Sequence, residues 1–211
     1  MNIENFSQNG EQQVILDFFR DEKISLLSIG ENSGTHLSNV RALILKGSYG
    51  TLVEPAPKAF AELQNLYKEN NEICLINAAI SDYNGESEFF DSGTHLNKGD
   101  VSLLSSLNKN ETLKWRATTS FEPIKVQVIT FEHLLQVSRY KQFSFISLDS
   151  EGNDLTILRQ MDLKDLGCRC LCIEYNSDPH LFNTMKSICE QQGLTEMLLK
   201  NGENIIMAAP K

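Results

Sequence analysis

The sequence predicts an α/β fold: a doubly wound, mostly parallel sheet ending in an antiparallel hairpin. Three observations predict it. Apolar runs of strand length alternate with segments of helical period, the pattern of a parallel sheet covered by helices. The first strand-like run closes on Gly30, with Gly34 just beyond it, a glycine turn between strand and helix. The last two strand-like runs, 196–199 and 205–209, flank Asn201-Gly202, a hairpin signal rather than a helical crossover.

The elements follow in order. Residues 9–19 carry Val14, Ile15, Phe18 and Phe19 at helical spacing, and 24–30 is a short strand. A helix is predicted over 33–45, with Leu37, Val40 and Ile44 on one face. The strand 51–53 is stopped by Glu54-Pro55, the helix 58–69 turns Phe60, Leu63 and Tyr67 inward, and 73–80 reads as a strand. After Ser81 the pattern changes. Residues 86–90 make a short strand, and 91–123 are polar and aperiodic, an insertion or lid of 33 residues in a chain that otherwise reads as one domain over 1–211. Alternation resumes with strand 125–129, helix 131–138, strand 143–148, helix 155–161, strand 169–173 and helix 181–192.

Composition narrows the function. At 41% hydrophobic and 22% charged, the 211 residues are those of a globular chain. The 19 Lys and Arg against 28 Asp and Glu give a net charge of −9, which argues against a nucleic-acid partner. No apolar run is long enough to span a bilayer, and the polar start has neither the basic nor the apolar part of a signal peptide, so a cytoplasmic protein with no membrane partner is expected. Cys168, Cys170 and Cys172 alternate along one strand and read as small buried hydrophobes on a shared face.

The turn Ser28-Ile29-Gly30-Glu31-Asn32-Ser33-Gly34-Thr35 is a ligand loop in pattern. Glycine lets backbone approach a ligand closely, and Glu54, ending the next strand, is placed to accept the two hydroxyls of a ribose. A dinucleotide site needs glycine where Asn32 stands, so a nicotinamide-dependent oxidoreductase fits poorly. Gly30 and Gly34, spaced G-x-x-x-G, suit a ligand with an amino-acid end and no pyrophosphate: S-adenosylmethionine. The plainer alternative is a tight strand-to-helix turn with no ligand.

Together these blocks resemble the FkbM-type S-adenosylmethionine-dependent methyltransferases. Ser7-Gln8-Asn9-Gly10-Glu11 is similar to the family's entry motif, Gly30 to Gly34 to its G-A-N-x-G loop, and Val53-Glu54-Pro55 with Pro57 and Phe60 to V-E-P-x-P-x-x-F. Asn77-Ala78-Ala79-Ile80-Ser81 resembles its third strand, Leu148 to Asp154 its I-D-x-E-G-x-E, and Ile173-Glu174 the end of its fifth strand. The resemblance implies a seven-stranded, Rossmann-like class I methyltransferase and methyl transfer to an oxygen of a sugar, glycan or small metabolite. It implies that Gly30, Asn32, Gly34, Thr35, Glu54, Ala79 and Asp149 hold the cofactor. Two departures stand out. Ser28 replaces the aspartate that commonly helps hold the methionine amino group, which leaves a non-catalytic binding protein as the alternative function. Asp154 replaces a glutamate.

A hydroxyl acceptor needs a base or a metal ion. Asp149, Glu151 and Glu174 sit at the C-terminal ends of strands, where open parallel sheets bind ligands. Two readings stay open: one of these carboxylates acts as base or orients the acceptor, or Asp149, Glu174 and Asn176 hold Mg²⁺. Glu151 and Asp154 can also simply stabilise the N-terminus of the next helix, the preferred reading for Asp154. His36 and His133 fall on predicted helices; His95 and His180 fall in loops and are candidate bases. The 91–123 segment offers Trp115, Arg116, Phe121, Ser102, Ser105 and Ser106 either to a sugar or as a solvated flap, and Gln8 either folds over the cofactor or caps the first helix. Oligomeric state is not encoded in any of these signals.

Overall fold

A computed structural model describes residues 4–94 and 101–210 of the chain. The first helix, α1 (Glu11–Phe19), precedes β1 (Ser25–Ile29), α2 (Arg41–Leu45), β2 (Tyr49–Val53), α3 (Pro57–Tyr67) and β3 (Ile73–Ile76). Then come β4 (Ala79–Ile80), β5 (Gly85–Asp91), α4 (Lys109–Trp115), β6 (Glu122–Ile129) and α5 (Phe131–Val137). The chain closes with β7 (Phe145–Leu148), α6 (Asp154–Leu158), β8 (Cys170–Glu174), α7 (Pro179–Gln191), β9 (Glu196–Lys200) and β10 (Asn204–Ala208).

Seven strands form one sheet in the order β3-β2-β1-β7-β8-β10-β9. The pairs from β3 to β8 are parallel, and β10 runs antiparallel to both β8 and β9. This is the doubly wound sheet with a reversed end that the alternation and the Asn-Gly signal predict. Chain order reverses between β1 and β7, so a crevice opens at their C-terminal ends.

Strand alternation divides the core between the two sheet faces. Leu27, Ile146, Ile173 and Ile205 join one buried cluster with Leu134, Ile157 and Met185 of α5, α6 and α7. Their neighbours Leu26, Phe145, Cys172 and Ile206 join the other, with Phe19, Leu43 and Leu63 of α1, α2 and α3. Strands buried on both faces read as continuous apolar runs, which is why they were visible in the sequence. Among the described residues, no helix is long and apolar enough to cross a membrane.

Four local expectations are corrected. The helix expected over 33–45 begins only at Arg41, because Asn32, Gly34 and Leu37 have φ of 55°, 75° and 56°, left-handed values that no α-helix holds. The strand expected over 73–80 breaks at Asn77, whose side-chain amide donates to the carbonyls of Glu54 (2.7 Å) and Pro55 (3.1 Å). Beyond the break, β4 joins a second sheet of three strands, β4-β6-β5. The segment 91–123, read as aperiodic, contains α4 and connects β5 to β6, which pair from Gly85↔Val128 to Asp91↔Glu122. Cys168 precedes β8 and packs in the cluster of Leu27, on the opposite face from Cys170 and Cys172. All five cysteines are free thiols.

Candidate active site

A cavity of about 630 Å³ lies over the C-terminal ends of β1, β2, β7 and β8, covered by the β5–β6 connection. Gly30 makes the floor possible. Its φ is +83°, and a Cβ there would lie 1.6 Å from the carbonyl oxygen of Asp149. The turn is pinned by Gly30 N and Glu31 N donating to the Val53 carbonyl (3.0 and 3.1 Å), while Asp149 N donates to the Ile29 carbonyl at 3.0 Å.

Glu54 directly follows β2 and is buried in the wall. Its Oε2 accepts from Asn32 N at 2.9 Å and its Oε1 from Ala56 N at 2.7 Å. Burial outweighs these bonds and lifts its pKa to about 7. Asn32 reaches across the cavity, its Nδ2 donating to the Val101 carbonyl of the covering segment at 2.7 Å. Ala78, Ala79 and Ile80 form an apolar stretch of the same wall. Gly34 and Thr35, both expected at the ligand, are not in the wall. A Cβ on Gly34 would meet Leu63 Cδ1 at 2.6 Å, so that glycine serves packing on α3; Thr35 is exposed, 3.1 Å from the Ser33 hydroxyl.

Sequence reasoning missed Glu31. It is buried in the wall, bonds the Ser28 hydroxyl, and its Oε1 accepts from Ser38 Oγ at 2.6 Å; burial lifts its pKa to about 7. It therefore puts a carboxylate beside Ser28. The available signal was an acidic residue directly after the strand-ending glycine.

Asp149, Glu151 and Glu174 converge: each offers a carboxylate oxygen, all within 4.8 Å of one another. Burial raises the pKa of all three, that of Asp149 to about 7; Asp149 raises Glu151 and Glu174 further, and Glu151 adds to Glu174. Oε2 of Glu174 is sealed from solvent and has no hydrogen-bond partner. Asn176, expected with Asp149 and Glu174 as a metal ligand, lines the same cavity from an exposed position. Asp154 stays out of the wall; its Oδ1 accepts from Ser150 N (2.8 Å) and its Oδ2 from Gly152 N (3.3 Å), fixing the loop that carries Glu151.

The β5–β6 connection supplies Ser102, Ser105, Trp115, Glu111 and Lys114 to the wall. Ser106 instead donates to the Glu151 carbonyl at 2.6 Å, and Arg116 and Phe121 lie outside the wall. Glu111 pairs with Lys114 and lies over Gly152, where a Cβ would meet its Cγ at 2.7 Å. Gln8 lines the wall too; its Nε2 donates to Glu203 Oε1 at 3.2 Å, so the N-terminal block touches the terminal hairpin. Of the histidines, His36 lines the wall, exposed in the turn before α2. His133 on α5, its Nδ1 3.2 Å from Asn84 Oδ1, and His180 in the first turn of α7 do not line it. His95 lies outside the described residues. Asn32, Leu37, Ser102, Glu151 and Asn176 all line the cavity with positive φ, a concentration of backbone strain usual at functional sites.

No curated protein matches the chain by sequence. Among solved structures, an FkbM methyltransferase from Methylobacillus flagellatus superposes with a TM-score of 0.53 at 14% identity, over 88% of this chain and 43% of that one. A precorrin-6y C5,15-methyltransferase from Geobacter metallireducens gives 0.50 at 11% identity, over 100% and 94%. The METTL16 methyltransferase domain gives 0.51 at 10% identity, over 96% and 67%. At these identities the likeness is one of fold. The profile of the Methyltransferase FkbM domain matches residues 28–195, from the strand that enters the glycine turn to the end of α7 and just beyond. The chain thus belongs to the FkbM family of S-adenosylmethionine-dependent methyltransferases.

Proposed function

We propose that the protein methylates a hydroxyl oxygen of a sugar, glycan or small metabolite in the cytoplasm, with no nucleic-acid or membrane partner. The observation that carries this reading is the convergence of Asp149, Glu151 and Glu174 at and just beyond the ends of neighbouring strands, in the cavity that Gly30 and Glu54 also line. When bound, S-adenosylmethionine supplies an electrophilic methyl group on a sulfonium. The residues fit it. The cavity has the size of a small-molecule site, and Gly30 leaves backbone bare where a side chain would intrude. Glu54 would take the ribose hydroxyls, Ala78 to Ile80 the adenine, and Ser28 with Glu31 the ammonium end. Glu31 thereby supplies beside Ser28 the carboxylate that Ser28 lacks, and turnover across the acceptor panel separates an enzyme from a non-catalytic cofactor-binding protein.

The chain's task in the chemical step is alignment and proton removal. Asp149 is the base assigned here. It directly follows β7, beside the Gly30 turn, and a pKa near neutrality lets it accept the hydroxyl proton as the oxygen attacks. A second reading places Mg²⁺ on Asp149, Glu151 and Glu174, favoured by their spacing. Turnover that survives EDTA removes it.

The test is calorimetry with S-adenosylhomocysteine, followed by its release from S-adenosylmethionine across a panel of hydroxylated acceptors. Methylated oxygen in the product supports the reading. A melting temperature unmoved by millimolar cofactor and product overturns it.

A further inference from the structure

We propose that the acceptor carries an ammonium group near the hydroxyl that is methylated, and that Glu151 and Glu174, with Trp115, read it. This rests on the O-methyltransferase reading above and names the acceptor's chemical class.

The inference starts from the charges in the wall. Among the described residues, Glu111, Asp149, Glu151, Glu174 and Glu203 line the acceptor side, and Lys114 is the only lysine or arginine there. Lys114 is already paired with Glu111. Glu203 is held by side-chain amides, Gln8 Nε2 at 3.2 Å and Asn9 Nδ2 at 2.9 Å. Asp149, Glu151 and Glu174 are left, crowded within 4.8 Å, with no salt bridge among the described residues beyond the more distant pull of Lys114 on Glu151, and with Oε2 of Glu174 both buried and unpartnered. Crowded carboxyls either hold protons or repel one another, and a cation arriving with the ligand lets them stay ionised. A phosphorylated or otherwise anionic acceptor would worsen the repulsion.

The cation these groups await is not the sulfonium. Its charge vanishes as the methyl leaves, so carboxylates that favoured it would stabilise the ground state over the transition state. An ammonium on the acceptor keeps its charge throughout. The hydroxyl oxygen forms its bond to the methyl carbon, the carbon–sulfur bond breaks onto sulfur, the hydroxyl proton passes to Asp149, and the ammonium is unchanged. Trp115 separates this occupant from a metal ion: it contributes an indole to the same wall, 41% exposed, and an aromatic face attracts an organic ammonium, whereas Mg²⁺ keeps its waters and seeks oxygen.

The experiment uses the full chain saturated with S-adenosylhomocysteine and two matched pairs: glucosamine against glucose, and serinol against glycerol. Glucose 6-phosphate is the anionic probe. At least one amino compound should bind about tenfold or more tightly than its uncharged partner, as expected for charge-assisted hydrogen bonds, and the phosphate should not bind. Glu174→Gln and Glu151→Gln should each erase most of that preference while S-adenosylhomocysteine affinity, read in the same titration, holds. Several results overturn the proposal: no amino compound outbinding its partner, a preference for the phosphate, a preference surviving both substitutions, or Mg²⁺ alone binding at the cluster and abolishing amine binding. Failure of S-adenosylhomocysteine itself to bind would instead bring down the methyltransferase reading beneath it.

Discussion

The two sides of the cavity are built from different materials. The side assigned to the cofactor is mainly backbone and strand ends: Gly30, Glu31 and Val53 are stitched together by main-chain hydrogen bonds, and Glu54 is held by two amides. The side assigned to the acceptor is mainly side chains carried by loops and one short helix: Gln8, Glu151, Asn176 and Glu203, with Trp115 of α4, come from regions scattered over the chain. A ligand common to a family can be met by fixed backbone. An acceptor that varies within it is met by loops, which change without disturbing the sheet.

The largest effect should come from breaking the backbone side. Gly30→Ala forces a Cβ against the Asp149 carbonyl at 1.6 Å in a left-handed conformation. We expect a stability loss of at least about 3 kcal/mol in urea unfolding and the loss of S-adenosylhomocysteine binding. Gly34→Ala is the control. Its clash at 2.6 Å is with the flexible end of Leu63, so about 1–2 kcal/mol should be lost with cofactor affinity retained in whatever folds.

Asp149→Asn tests where the two sides meet. It should lower kcat by about 10²–10⁴-fold and remove the pH dependence of the rate on its acid side. Wild-type activity should rise as pH climbs through about 7, because Asp149 is raised to that value. Stability of the ligand-free protein should run the other way. Glu31, Glu54 and Asp149 are all held near 7 when folded, against 3.8 to 4.5 when free. Between those values the unfolded chain binds fewer protons than the native one, so stability falls as pH rises. Melting temperatures at pH 5 and pH 8 check the sign.

On the loop side, Glu11 is the brace. It is fully buried; Oε1 accepts from Asn201 Nδ2 (2.7 Å) and Asn204 Nδ2 (3.1 Å), and Oε2 from Asn9 N (2.7 Å). The turn it holds presents the Glu203 carbonyl to Tyr175 N and Asn176 N at 2.7 and 3.1 Å. Glu11→Ala should cost about 2–3 kcal/mol, because it strands buried donors. Hydrogen exchange at Tyr175 and Asn176 should quicken with cofactor affinity little changed.

The same contrast explains what was legible in the sequence. That Gly30, Glu54 and Asp149 share one wall was legible because strand ends are fixed by apolar runs that the sequence displays. Gln8 and Glu203 meet across 195 residues, a contact no local pattern encodes. The false helix start had a different cause. Asn32 and Leu37 take left-handed φ without being glycine, and a turn made by unexpected residues is silent in composition. The hairpin was read correctly from Asn201-Gly202, yet Gly202 is not left-handed. Asn201 closes the turn with its side chain, Oδ1 accepting from Glu203 N (2.9 Å) and Asn204 N (2.6 Å).

The smallest change in stability should come with the most selective change in function. Trp115 ends α4, a helix with no buried residue, and is 41% exposed. Trp115→Ala should therefore move unfolding by only about 1 kcal/mol. If the indole serves only as a solvated cover, acceptor KM should be equally unmoved. If it contacts the acceptor, KM should rise about three- to tenfold with kcat and S-adenosylhomocysteine affinity nearly constant, since a cation–π contact made equally in ground and transition states changes binding alone. Trp115→Phe, which keeps an aromatic face, should recover part of the loss. Recovery by phenylalanine but not by leucine would assign the effect to the ring's charge distribution, and would separate the loop side of the cavity, where single contacts can be tuned, from the backbone side, where Gly30 allows no substitute.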